Sequence, residues 1–74
     1  MTSFPALTGK ELVAALRTDG FQLLRIKSSH HFMRHADGRA TVVPVHAGET
    51  IGPGLLSRIL RDIKMSRKQL QKLL

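Results

Sequence analysis

No cysteine, tryptophan or tyrosine occurs in these 74 residues, and the only aromatic rings of phenylalanine type are Phe4, Phe21 and Phe32. Without cysteine there is no disulfide to staple a short chain, and zinc sites that use thiolate ligands are excluded. Three rings leave few platforms on which a single-stranded base can stack, so any bound nucleic acid is expected to be held through backbone charge and shape, with weak sequence preference. Acidic residues are scarce too, five against twelve Lys and Arg, for a net charge of +7. That imbalance favours an anionic partner, with nucleic acid ahead of a membrane surface or an acidic protein. An uninterrupted apolar run near ~18 residues is missing, as is a cationic leader followed by an apolar stretch, so the expectation is a soluble, cytoplasmic protein. A chain this short folds as a single domain over 1–74 and buries only about 60% of its unfolded surface.

What is present begins with "LTGKELVAALRTDGF". Thr8 and Glu11 stand at capping-box spacing ahead of Leu12, Val13 and Leu16, which predicts a helix. Gly20 occupies the place of a left-handed C-terminal cap, with Phe21 able to fold back on the last turn, so the helix ends near Asp19. Residues Phe21 to Lys27 are mixed apolar and polar without a helical stripe, and His30 to Ala36 alternate; both read as short strands. Asp37-Gly38 supplies the positive φ angles of a tight hairpin turn, so "RATVVPV" is expected to pair antiparallel with the second strand. Pro44 lacks an N–H for a ladder bond, which places the third strand at an edge. Pro53 suits the first turn of a second helix, whose Leu55, Leu56, Ile59, Leu60 and Ile63 share one side. Ser66 and Gln69 repeat the capping-box spacing before Leu70, Leu73 and Leu74, so a short third helix closes the chain. The order predicts an α+β fold: a three-stranded antiparallel sheet with helices on one face and the other face open.

All four histidines lie between residues 27 and 46. A shared metal is disfavoured by their spacing. His30 and His31 point to opposite faces of a strand, and His31 and His35, on one face, are separated by about 13 Å at ~3.3 Å per residue. His35 and His46, at strand ends, are expected to cap backbone carbonyls or to face water. His30 is different, at the mouth of a turn beside Ser28 and Ser29 and within reach of Arg25, Lys27 and Arg34. Cations near an imidazole favour its neutral form and also collect phosphate. A neutral imidazole beside a phosphodiester is what general-base attack by a ribose 2′-hydroxyl requires. The same residues could serve binding alone. Phe21 reads as core, while Phe32 shares the parity of His30 and suits either packing or contact with a base.

Three stretches, "LTGKELVAALRTDGFQLLR", "KSSHHFMRHADGRATVVPVH" and "IGPGLLSRILRDIKMSRKQLQKLL", resemble the HicA family of toxin ribonucleases in order, length and spacing along nearly the whole chain. The resemblance implies a double-stranded-RNA-binding-domain-like α-β-β-β-α fold, cleavage of mRNA without metal or other cofactor, and inhibition by a cognate HicB-like antitoxin. It also implies a catalytic histidine after a Gly-Ser pair at the start of the second strand, the position held here by His30. In this chain the pair is Ser28-Ser29. If the family glycine adopts positive φ, Ser28 strains or reshapes the turn.

The C-terminal third carries Arg58, Arg61, Lys64, Arg67, Lys68 and Lys72 against one acid, Asp62. A charge run on a helix is commonly its solvated face. Here the excess exceeds what pairing within the helix can neutralise, so an electrostatic footprint for RNA, or for an acidic antitoxin surface, stands level with the solvated-face reading. The combined reading is an mRNA-cleaving toxin with His30 as general base, the acid role being open to the same residue. Arg25, Lys27, Ser29, Arg34, Arg61 and Lys68 are the candidate RNA and phosphate contacts. The rival readings are a non-catalytic RNA-binding module of the same fold and a degenerate toxin that only engages its antitoxin.

Overall fold

The computed structural model describes residues 6–74, so Phe4 lies outside the described part. Six elements follow one another: α1 (Gly9–Thr18), β1 (Gln22–Lys27), β2 (His30–Arg34), β3 (Ala40–Pro44), α2 (Pro53–Asp62) and α3 (Arg67–Gln71). At the start of α1 the Glu11 N–H donates to Thr8 Oγ1 at 3.1 Å, and the Thr8 N–H donates to Glu11 Oε1 at 2.9 Å. The capping box expected from the sequence is therefore complete, and Ser66 with Gln69 repeats it at α3. Helix α1 ends in a Schellman loop, with the Gly20 N–H donating to the Arg17 carbonyl, the Phe21 N–H to the Leu16 carbonyl, and Gly20 at φ +103°. Phe21 belongs to this cap and is buried, so β1 begins one residue later than its sequence suggested. Helix α2 closes with the same pair of bonds, Lys64 to Arg61 and Met65 to Leu60, and Lys64 takes the left-handed position at φ +52°.

The three strands form an antiparallel meander in the order β1-β2-β3, which puts β3 with Pro44 at an edge as its missing N–H requires. The turn between β2 and β3 differs from the tight two-residue form expected at Asp37-Gly38. Only Gly38 has positive φ, the Gly38 N–H donates to the His35 carbonyl, and the His35 N–H to the Arg39 carbonyl. That is a type I turn followed by a bulge, and it ends β2 at Arg34 rather than Ala36. Met33 and Val43 point from the sheet into a core formed with Leu12, Ala15, Leu16, Leu56, Ile59, Leu60, Ile63 and Leu70. The helices thus cover one face of the sheet and leave the other open, as expected.

Two contacts lock this arrangement. The first is steric: a Cβ on Gly9 would collide with the Pro44 carbonyl oxygen, so α1 can lie this close to the end of β3 only without a side chain there. The second is polar and centres on Arg39. Its Nε donates to Asp37 at 2.7 Å, its Nη1 donates to the Ile63 carbonyl at 2.9 Å, and its Nη2 stands 3.8 Å from Asp19. Its Cζ also lies 5.1 Å from the centre of the Phe21 ring. One side chain therefore ties the ends of α1 and α2 to the β2–β3 turn. Beside it Thr41, buried, donates to Asp62 at 2.9 Å across from β3 to α2. The lone acid of the basic C-terminal third is spent on this bond.

Gly9→Ala is expected to destabilise the fold by about 2–3 kcal/mol, since the backbone it would strike has no side chain to rotate away. Urea denaturation midpoints of the two chains test this. Asp37 gives a second expectation, because the hydrogen bond from the Arg39 backbone N–H holds its carboxyl below the ordinary value, desolvation opposing it and the Arg39 guanidinium adding a smaller lowering. A carboxyl lowered on folding stabilises above its unfolded pKa and loses that contribution as the pH falls through its folded value. The melting temperature should therefore drop on acidification below about 3.8, and Asp37→Asn should flatten that part of the profile.

Candidate nucleic-acid interface

The open face of the sheet is set by one supernumerary residue. Leu23 pairs with Met33 and Arg25 pairs with Phe32, so Leu24 is left without a partner as a β-bulge. Side chains alternate along a strand, so in a regular strand Arg25 would share the helix-covered face with Leu23. The extra residue reverses the parity after it. Arg25 then stands with Phe32, and Lys27 with His30, on the open face, while Ile26 goes with His31 to the other. The bulge also explains why Phe21 to Lys27 showed no clean alternation in the sequence.

His30 is the first residue of β2 and is exposed, flanked across the ladder by Lys27 on β1 and Pro44 on β3. It is carried by a two-residue turn in which Ser28 adopts φ +56°, the conformation glycine accepts freely and serine does not. Ser28 thus takes a positive φ that strains it, the first of the two outcomes expected for a serine here. Ser29 contributes through its backbone, its carbonyl accepting the Val45 N–H at 2.8 Å and lying 3.3 Å from His31 Nδ1. Two residues beyond His30 on the same face, Phe32 lies under the Arg25 guanidinium, whose Cζ is 4.5 Å from the ring centre. Arg34 shares the face at the far end of β2, about 13 Å from His30 at ~3.3 Å per residue. Lys27, Arg25 and Arg34 form a cationic row along the sheet.

The other candidates fall elsewhere. Arg61 and Lys68 are exposed on α2 and α3, whose apolar residues pack on the covered face of the sheet, and they do not join the row. Two further cations of that run have structural bonds, Arg58 to the Val42 carbonyl at 3.3 Å and Arg67 to Ser57 Oγ at 2.8 Å. His31 points away from His30. His35 sits edge-on to Phe21, with Nε2 3.1 Å from the Asp19 carbonyl and Nδ1 accepting the Asp37 N–H at 3.1 Å. With Nε2 donating and Nδ1 accepting, the ring caps the end of α1. A 3.2 Å approach of Nδ1 to the Asp37 carboxylate would become an ion pair only on protonation. His46 is exposed, 3.9 Å from Glu49. Among the described residues no three His, Cys, Asp or Glu side chains converge, and no helix is long and apolar enough to cross a membrane.

The open face thus carries a single exposed imidazole in a cationic row, borne on a two-residue turn with Ser28 at positive φ. A family model described as the HicA toxin of bacterial toxin-antitoxin matches residues 9–65. The chain belongs to the HicA toxin family. No curated protein matches it. The matched span of this HicA toxin runs from the first residue of α1 into the loop after α2, and so includes the whole sheet and the open face. Residue patterns did not reveal the bulge, the Arg25–Phe32 stack or the Arg39 clasp. The adjacent leucines at 23 and 24, which break the alternation, were the one available sign of the bulge.

Replacing Ser28 with glycine is expected to stabilise this HicA toxin by a few tenths to about 1 kcal/mol. Left-handed backbone costs a non-glycine residue about 1–2 kcal/mol, and the greater freedom of glycine in the unfolded chain offsets part of the gain. A lower urea midpoint for Ser28→Gly would contradict this account of the turn.

Proposed function

We propose that this HicA toxin is an mRNA-cleaving endoribonuclease whose general base is His30 and which uses no metal or other cofactor. The observation that carries the reading is the position of His30, exposed on the open face with Lys27 directly across the ladder. A phosphodiester drawn to Lys27 lies beside the imidazole. The imidazole takes the proton of the adjacent ribose 2′-hydroxyl, the 2′-oxygen bonds to phosphorus, and the P–O5′ bond breaks. The departing 5′-oxygen takes a proton from water. The products are a 2′,3′-cyclic phosphate and a free 5′-hydroxyl, because the nucleophile is internal to the RNA.

The remaining cations divide the work by position. Arg25 and Arg34, further along the same face from His30, hold the strand on one side of the nucleotide being cut, whereas Arg61 and Lys68 add to the long-range attraction that concentrates RNA near the protein. Ser29 acts through its backbone, which fixes the turn bearing His30. The partner of such a toxin is an antitoxin of HicB type, which covers the open face and competes with RNA for the cationic row. Both RNA and antitoxin are cytoplasmic.

His30→Ala is expected to lower the cleavage rate at least about 100-fold, the lower end of what a positioned base contributes. Because His30 is exposed, the melting temperature should stay unchanged. The assay is run in EDTA with analysis of fragment ends. Undiminished cutting by His30→Ala, or wild-type activity that returns only on adding a divalent ion, would sink the assignment. RNA binding without any cleavage would favour the binding-module alternative.

A further inference from the structure

Because an isolated Phe32 would offer one ordinary ring, the stack it makes with Arg25 changes what the open face can hold. Arg25 is exposed, and Phe32 beneath it is half-buried, so the ring anchors the guanidinium and the guanidinium presents its outer side to solvent. Beside the pair an open depression is bounded by Leu24, Phe32 and Met33, by Ala40 to Val42 of β3, and by Arg58 and Asp62 of α2. The same bulge that turns Arg25 outward leaves Leu24 to form one wall of it. Guanidinium planes and aromatic rings are the two surfaces on which proteins stack unpaired bases. Phe32 is two residues from His30 on β2, about 7 Å at ~3.3 Å per residue, which is the reach from a phosphate to the base of a neighbouring nucleotide.

We propose that Arg25 and Phe32 form a composite stacking platform for one unpaired base next to the phosphate that His30 attacks, so that the toxin takes single-stranded RNA and requires a base at that position. The inference rests on the ribonuclease reading for its link to His30, but the platform itself depends only on single-stranded nucleic acid occupying the open face. Stacking is nearly indifferent to base identity, since every base has a π-face, and larger purine rings cover the platform more fully. This gives a lone phenylalanine more influence than the scarcity of aromatic residues suggests. It also makes Arg25 a base contact first and a phosphate contact second.

The test reads binding separately from cutting, using 2′-O-methylated oligomers that lack the nucleophile. Affinities are measured for a short oligoadenylate and for an abasic ribose-phosphate oligomer of equal length and charge. Wild type is expected to bind the oligoadenylate about tenfold more tightly, within the range that base–aromatic stacking supplies. In Phe32→Leu and Arg25→Met that ratio should fall to near one, while Arg25→Lys, which keeps the charge and loses the plane, should lose it as well. Circular dichroism melts identify any variant that fails to fold, and Arg25→Met and Arg25→Lys, altered only at an exposed side chain, then carry the conclusion. Equal wild-type affinity for the two oligomers overturns the platform. A tenfold preference in a protein that cuts no unmodified RNA upholds the platform and removes the ribonuclease reading instead.

Discussion

A strand has two faces and its residues must alternate between them, so a single unpaired residue determines the destination of everything that follows it. In this protein that residue is Leu24. Before it, Leu23 feeds the core beside Met33; after it, Arg25 and Lys27 face outward with Phe32 and His30. A regular β1 would have sent both cations toward the helices, where a buried charge without a partner is costly, and left the imidazole without its cationic neighbour. The make-up of the open face is thus a matter of register before it is a matter of chemistry.

Register has to be held, and the fold supplies the restraint at the opposite end of the sheet from His30. Arg39 joins the β2–β3 turn to the last turns of both long helices, and Thr41 with Asp62 adds a second link from β3 to α2. His35 caps the end of α1 from the same corner. The polar bonds gather at the Arg39 corner, and the exposed His30 stands at the other end, where Gly9 of α1 rests against its neighbour Pro44. A charged side chain that satisfies three separate backbone or carboxylate groups is also why a chain with so few acids can bury part of a guanidinium without leaving it unpaired.

Much of this was readable from residue order. The capping boxes at Thr8 and Ser66, the glycine cap at Gly20, the apolar stripe of α2 and the edge position of Pro44 are local signals whose causes lie within a few residues, and the structure has them where the patterns put them. The site was legible in part: His30, Lys27, Arg25 and Arg34 do share one face, whereas Arg61 and Lys68 stand apart from it. What stayed hidden depends on residues far apart in sequence. Arg39 looks like one cation among many until the carbonyl of Ile63 and the carboxylate of Asp19 are brought to it. The β2–β3 turn was misjudged because Asp37-Gly38 fits both a two-residue turn and the longer form adopted here, and bonds to Arg39 and His35 select the longer one.

The close passage of Gly9 beside Pro44 also orders events in time. Helix α1 is made first, but it rests on β3, the last strand of the meander, and its buried side has no seat until that strand has been added. The two hairpins join neighbours in the chain and close over short loops, whereas docking α1 requires closure across some thirty residues, with its larger entropic cost. Emerging from a ribosome, the chain therefore exposes the apolar stripe of α1 throughout synthesis of the sheet. A fragment that stops short of β3 leaves α1 without its seat, so a truncated translation product of that length lacks the packed core.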